Sequence, residues 1–255
     1  MRFAFLGSGS RGNALVVESG GTRVLVDCGF SAADMQRRLA RLSLDPASLD
    51  AILITHEHGD HVRGLARFAG RHGLPVWMTP GTRQACAPGP DLSVNCFSPH
   101  EAFAIDGLSV APFPVPHDAR EPCQFLLSDG HRRLGVLSDI GRPTPHVQAM
   151  IDDCDALLLE CNHDPALLAA GPYPASVRAR VAGDLGHLSN GQAAGLLGRI
   201  GRDRLQHVVA THISNNNNTA DHARRALADV LGCNPDWVAA ADQQEGLSWR
   251  SIVAL

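Results

Sequence analysis

Residues 55–61 read Thr-His-Glu-His-Gly-Asp-His, directly after the apolar run DAILIT at 50–55. That run predicts a buried strand, and VRGLARFAGRHG at 62–73 has the pattern of a helix behind it. On an extended or turning segment, side chains two positions apart project the same way, so His56 and His58 can grip one metal ion. Asp60 and His61 follow on the turn into the helix and face a second position beside the first. Four ligand-type side chains between His56 and His61 supply most of a two-metal site. A His-rich surface turn is the alternative. The buried strand weighs against it, because it aims the cluster at a sheet edge, where sites form.

Outward from this motif the chain alternates strand-like and helix-like pieces. Strands are expected at 2–6, 14–18, 22–27, 75–79, 107–115, 124–128, 133–139, 155–160, 207–212, 237–241 and 247–253. Helical patterns fall at 32–42, 144–152, 164–170, 174–182, 190–200 and 219–231, with Ser31 as the N-cap of the first. No long Gly/Ser/Pro linker interrupts the series. One α/β domain over residues 1–255 is expected, with helices covering two packed sheets.

The composition narrows the function classes. A 255-residue chain with 44% apolar residues can bury a real core. Seven cysteines with no C-x-x-C pair, behind an N-terminus that does not read as a signal peptide, argue for reduced thiols and a cytoplasmic protein. No apolar stretch is long enough to span a membrane. A net charge of −4 argues against wholesale coating of nucleic acid but allows a local basic groove. Lysine is absent, so any phosphate contact would use the planar guanidinium of arginine. Histidine is over-supplied, at 13 residues. Arg37, Arg38 and Arg41 read as a solvated helix face. His100, His131, His146 and His222 read as surface residues.

The motif resembles the H-x-H-x-D-H signature of the metallo-β-lactamase fold hydrolases. That resemblance implies a four-layer αββα sandwich with a di-metal site at the edge of the two sheets, and further ligands after later strands. His117 in FPVPHDA, Asp139 in VLSDIG and His212 in VVATHIS stand in that order at strand ends. Taken singly, a His at a strand end is more often structural, Asp139 could cap a helix, and His212 could be a satisfied core histidine. The family pattern implies one metal on His56, His58 and His117, a second on Asp60, His61 and His212, and Asp139 bridging them. It makes Asp27 in VLVDCG a buttress for the ligand loop. Zn²⁺ suits the imidazole-rich position, and Mn²⁺ competes where carboxylates are present.

Within that fold, SGSRGNALVVE, LLECNHD, YPASVRARVAGDLGHLSN and HISNNNN resemble the YycJ/WalJ-like branch. The resemblance runs along nearly the whole chain and implies a 5′→3′ exonuclease acting on duplex DNA. Phosphodiester hydrolysis needs a metal-activated hydroxide, charge neutralisation and an acid for the leaving oxygen. Asp60 would orient or deprotonate the nucleophile. His187, before a helix, resembles the extra histidine of tRNA 3′-processing endonucleases and would clamp the phosphate or protonate the leaving group. The resemblance also places the stretch of Glu160, Asn162 and His163 near the site, where it would orient His187 or the nucleotide; capping of the following helix by Asn162-His163-Asp164 is the alternative. Ser10, Asn13, Asn162, His163, Arg178, Arg180 and Asn215 are the candidate substrate contacts, although a plain strand connector, a helix cap or a solvated loop explains several equally well. Small-ester, thioester or lactone hydrolysis on the same metals is the second reading, and a non-catalytic metal-binding regulator the third. A homodimer is expected from the habit of sandwich hydrolases.

Overall fold

The computed structural model describes residues 1–254. Six strands come first: β1 (Arg2–Gly7), β2 (Ala14–Ser19), β3 (Thr22–Val26), β4 (Ala51–Leu53), β5 (Val76–Met78) and β6 (Val94–Cys96). They are followed by β7 (Phe103–Ile105), β8 (Leu108–Pro114), β9 (Cys123–Ser128), β10 (Arg133–Leu137), β11 (Ala156–Glu160), β12 (His207–Thr211) and β13 (Ala239–Ala240). A last strand, β14 (Leu247–Ser251), returns to pair antiparallel with β1. Two seven-stranded sheets result, in the orders β14-β1-β2-β3-β4-β5-β6 and β13-β12-β11-β10-β9-β8-β7. Each is antiparallel in one half and parallel in the other: β3 to β6 and β10 to β13 run parallel.

Alternation along the strands explains the layering. Phe3, Phe5, Leu15, Val17, Val24, Val26 and Leu53 face the opposing sheet, where they meet Phe125, Leu127, Val136 and Leu158. The residues between them, Leu6, Val16, Leu25 and Ile52, face outward against Met35, Leu39 and Phe68. Those belong to α1 (Ala32–Arg41) and to α3 (Leu65–His72), which follows the short α2 (Gly59–Val62). The strand pleat, with its period of two, thus gives each sheet two apolar faces.

The remaining helices are α4 (Pro80–Cys86), α5 (Pro145–Ile151), α6 (Pro165–Ala170), α7 (Ala175–Val181), α8 (Asn190–Leu197) and α9 (Ala220–Leu231). Leu157, Leu159, Val208 and Ala210 pack outward on Val147 and Ile151 of α5, Leu196 of α8 and Leu227 of α9. Helix, sheet, sheet and helix make the four-layer αββα sandwich.

Three departures from expectation have physical causes. The helix expected at 62–73 divides at Gly64, whose N–H donates to the Cys28 carbonyl (2.9 Å) instead of continuing the helical ladder. The short elements α4, β6 and β7 carry too few residues for a periodic signal. Arg38 is not on a solvated face: it is buried, lies 3.8 Å over the Phe30 ring, and donates to the carbonyls of Leu6, Gln243 and Gln244. Among the described residues no helix is long and apolar enough to cross a membrane, and all seven cysteines are free thiols.

Candidate metal centre

The site lies where strands end. Asp27 follows β3, Thr55 and His56 follow β4, Asp139 follows β10 and His212 follows β12. Asp27 (φ 63°), Asp139 (φ 51°) and His212 (φ 50°) all adopt left-handed backbone, which turns each side chain off its strand into one space. Asp and His are among the residues that tolerate this region, at a cost on the order of 1 kcal/mol each.

Each imidazole is held by one ring nitrogen and presents the other to that space. His61 Nδ1 donates to Asp27 Oδ2 (2.7 Å), His117 Nδ1 to the Gly186 carbonyl (3.0 Å), and His58 Nε2 to the Asp118 carbonyl (3.2 Å). His56 Nδ1 lies 3.0 Å from Thr55 Oγ1. Second-sphere bonds of this kind fix the tautomer of metal-binding histidines.

The presented nitrogens, with the Asp60 carboxylate, include the groups His56–His58–His117 and Asp60–His61–His212. The Asp139 carboxylate reaches both: Oδ2 lies 3.2 Å from His61 Nε2, and Oδ1 lies 3.5 Å from His212 Nε2 and 3.9 Å from His117 Nε2. His56 Nε2 is fully buried without a hydrogen-bond partner among the described residues. His58 Nδ1 and His117 Nε2 face each other at 3.3 Å, each with its proton committed on the other nitrogen. Two facing lone pairs need a cation between them, and neighbouring donors on a tetrahedral zinc ion lie about 3.3 Å apart. The residues fit a divalent cation.

The electrostatics agree with a cluster built for positive charge. Burial alone would raise the Asp139 carboxyl, but His212 and His61 outweigh it and hold it well below the usual range. Burial, helped by the charge of His61, pushes His56 well down, so its ring is neutral. His212 is opposed by burial, yet Asp139 and hydrogen bonds to Asp60 and Glu160 bring it up to about 10. A cation on Nε2 must displace that proton. His61, opposed by burial yet raised well above its ordinary value by Asp139 and Asp27, carries a second such proton. Titrating divalent metal into metal-free protein near pH 8 is therefore expected to release about two protons per chain. Calorimetry in buffers of different ionisation enthalpy measures it, and buffer-independent heats would contradict the account. The raised His212 also stabilises the metal-free fold fully below its ordinary value of 6.5. That contribution is lost as pH rises through about 10.

Around the centre, the geometry sorts the other candidates. Asp27 accepts from both the Thr55 main chain and Thr55 Oγ1 beneath His61, the place of a buttress. Asn13 and Asn162 are not turned to a substrate. Asn13 is buried, with Nδ2 3.1 Å from His61 Nε2 and Oδ1 accepting from Gly9 N. Asn162 Nδ2 donates to the His212 carbonyl (3.1 Å) and lies 3.2 Å from His212 Nδ1. His163 is 3% exposed, too buried to reach a strand of nucleic acid, and its carbonyl accepts from Asn190 N. Arg178 donates to the Tyr173 carbonyl and Arg180 to Asp118. Ser10 and Asn215 are exposed, and so are His100, His131, His146 and His222.

His187 joins the centre through Glu160, a fully buried carboxylate. Glu160 Oε1 accepts from His187 Nδ1 (2.7 Å) and lies 3.3 Å from His212 Nδ1, while Oε2 accepts from Ile140 N and Leu188 N. Asp118 was not legible beforehand; its position directly after His117 was the only signal.

Residues 22–213 match the model of the beta-lactamase superfamily domain. The chain belongs to that superfamily and is a metallo-hydrolase of it. Its place there is the YycJ/WalJ-like branch. It is 32% identical to exodeoxyribonuclease YycJ of Bacillus anthracis over 235 residues, 91% of this chain and 89% of the relative. Against exodeoxyribonuclease WalJ of Streptococcus pneumoniae it is 30% identical over 236 residues, 90% of this chain and 88% of the relative. The Zn²⁺-bound structure of PqqB from Methylobacterium extorquens matches with a TM-score of 0.75 at 19% identity. That match covers 98% of this chain and 100% of the other, and shares its fold.

Proposed function

We propose that the whole chain works as one metal-dependent phosphodiesterase, removing nucleotides 5′→3′ from duplex DNA in the cytoplasm. One Zn²⁺ or Mn²⁺ ion would be held by His56, His58 and His117 and a second by Asp60, His61 and His212, with Asp139 shared. When bound, the cations supply a more acidic water and positive charge facing the phosphoryl oxygens. Asp60, half-buried between His61 and His212, orients that water and accepts its proton.

The observation that carries the reading is the Glu160–His187 pair. A sugar alkoxide is a poor leaving group and needs a proton; a thiolate does not. His187 is raised: burial opposes its charge, but Glu160 and its hydrogen bond outweigh the burial. Its side chain is 20% exposed, and among the described residues Nε2 makes no hydrogen bond, so that nitrogen can deliver the proton. The two exodeoxyribonuclease relatives support DNA as the substrate.

The test is release of mononucleotides from end-labelled, 5′-phosphorylated duplex with Mn²⁺ or Zn²⁺. His187→Ala is expected to lower kcat about 10²- to 10⁴-fold with metal content unchanged. Glu160→Gln removes the carboxylate that keeps His187 protonated. The alkaline limb of the pH–rate profile is then expected to move to lower pH, because the acid form is lost sooner. A wild-type protein inert towards every nucleic acid with either metal overturns the reading.

A further inference from the structure

Helix α7 has no buried residue, yet three contacts fasten it and the loop after it to the first ligand set. The Asp118 N–H donates to the Leu185 carbonyl (3.0 Å), His117 Nδ1 donates to the Gly186 carbonyl (3.0 Å), and Arg180 Nε donates to Asp118 Oδ2 (2.5 Å). Asp118 also faces the metal side. Its carbonyl accepts from His58 Nε2, and its Oδ1 lies 3.5 Å from His117 Nε2. Arg180 is 66% exposed and makes no other hydrogen bond among the described residues, which leaves both Nη groups for a ligand.

An arginine on a helix with no packed face has many rotamers. A carboxylate gripping Nε selects one of them and leaves the far edge of the guanidinium as a fork for an oxyanion. That carboxylate belongs to the residue whose main chain holds His58.

We propose that Asp118 is a positioning residue: it sets Arg180 to take a phosphate oxygen of the substrate strand and ties that contact to the His58–His117 pair. This rests on the phosphodiesterase reading. The phosphate then sits between a guanidinium and a cation whose supports share one residue, so filling either side favours the other.

The experiment uses the Mn²⁺-loaded protein and 5′-phosphorylated duplex. Arg180→Ala is expected to raise KM roughly tenfold or more, the weight of one charge-assisted contact, with little change in kcat. Asp118→Asn keeps the carbonyl on His58 but neutralises Oδ2, and is expected to raise KM to the same degree. The double variant should be no worse than either single one, because both remove one device. Calorimetric titration of metal-free Asp118→Asn with Mn²⁺ is expected to give wild-type stoichiometry, and 5′-phosphorylated duplex should tighten Mn²⁺ binding in wild type but not in this variant. Unchanged KM in both single variants, additive losses, or a fall confined to kcat would each overturn the inference while leaving the phosphodiesterase reading intact. A wild-type protein that cleaves nothing removes the reading, and this inference with it.

Discussion

Replacing Asp139 with Asn is expected to lower nucleotide release by about 10³-fold or more and to reduce the bound metal per chain. Asp139 is 2% exposed and, among the described residues, is the one carboxylate within reach of both ligand groups, at 3.2 Å from His61 Nε2 and 3.9 Å from His117 Nε2. Its amide keeps the volume and tolerates the left-handed backbone that Asp139 adopts at φ 51°, so the strand end need not move. What is lost is the negative charge between two sets of imidazoles, and with it the anionic donor that Asp139 would offer to each ion of the proposed pair. In the metal-free variant His212 loses the largest of the influences that raise it, which brings its value down. Metal affinity should then depend less steeply on pH than in wild type. Elemental analysis of the purified variant and a nuclease assay check both parts. Wild-type metal content with wild-type activity would show that Asp139 bridges nothing.

The second large effect is on the fold. A Cβ on Gly29 would lie 1.7 Å from the Asp60 carbonyl oxygen and 2.7 Å from Asn13 N, both main-chain atoms with no freedom to swing aside. The ligand loop is laced to this segment by its backbone: Cys28 N donates to His61 O (2.7 Å), Asn13 N to Asp60 O (2.8 Å) and Gly29 N to Asn13 O (3.0 Å). Gly29→Ala must break part of that lacing. A loss of about 3–5 kcal/mol is expected. That corresponds to a fall in Tm of roughly 6–20 °C, at about 2–4 °C per kcal/mol for a chain of this size. The control sits in the motif itself. A Cβ on Gly59 meets nothing within 4 Å, so Gly59→Ala should leave Tm unchanged or slightly raised. Thermal unfolding of the two variants side by side decides it, and equal behaviour would refute the packing account.

Most of the strands were legible because each buried face repeats every second residue, as in Leu15, Val17, Val24 and Val26 against Val16 and Leu25. Helix α8 was legible from the helical pattern at 190–200, and in the structure a capping box of Ser189 and Gln192 fixes its start. The grouping of His56, His58, Asp60 and His61 followed from side-chain direction over a few residues, which depends only on local backbone. The roles of Asn13, Asn162 and Arg38 did not. Their amide or guanidinium groups could equally well face solvent or a substrate, and the partners that decide between these, His61 for Asn13, His212 for Asn162 and the Leu6 carbonyl for Arg38, lie 32 or more residues away.

The division between the two kinds of information follows from range. Sequence alone determined that helices cover two packed sheets and that His56, His58, Asp60 and His61 can bind a metal, because periodicity and residue chemistry act within a few positions; His117, Asp139 and His212 were legible only through the family resemblance. Only the packed chain decided which ring nitrogen each histidine presents, that Glu160 serves both His187 and His212, and that Asp118 stands between the metal ligands and Arg180. Those are choices among hydrogen-bond partners, and a partner exists only once distant strand ends have been brought to the same edge.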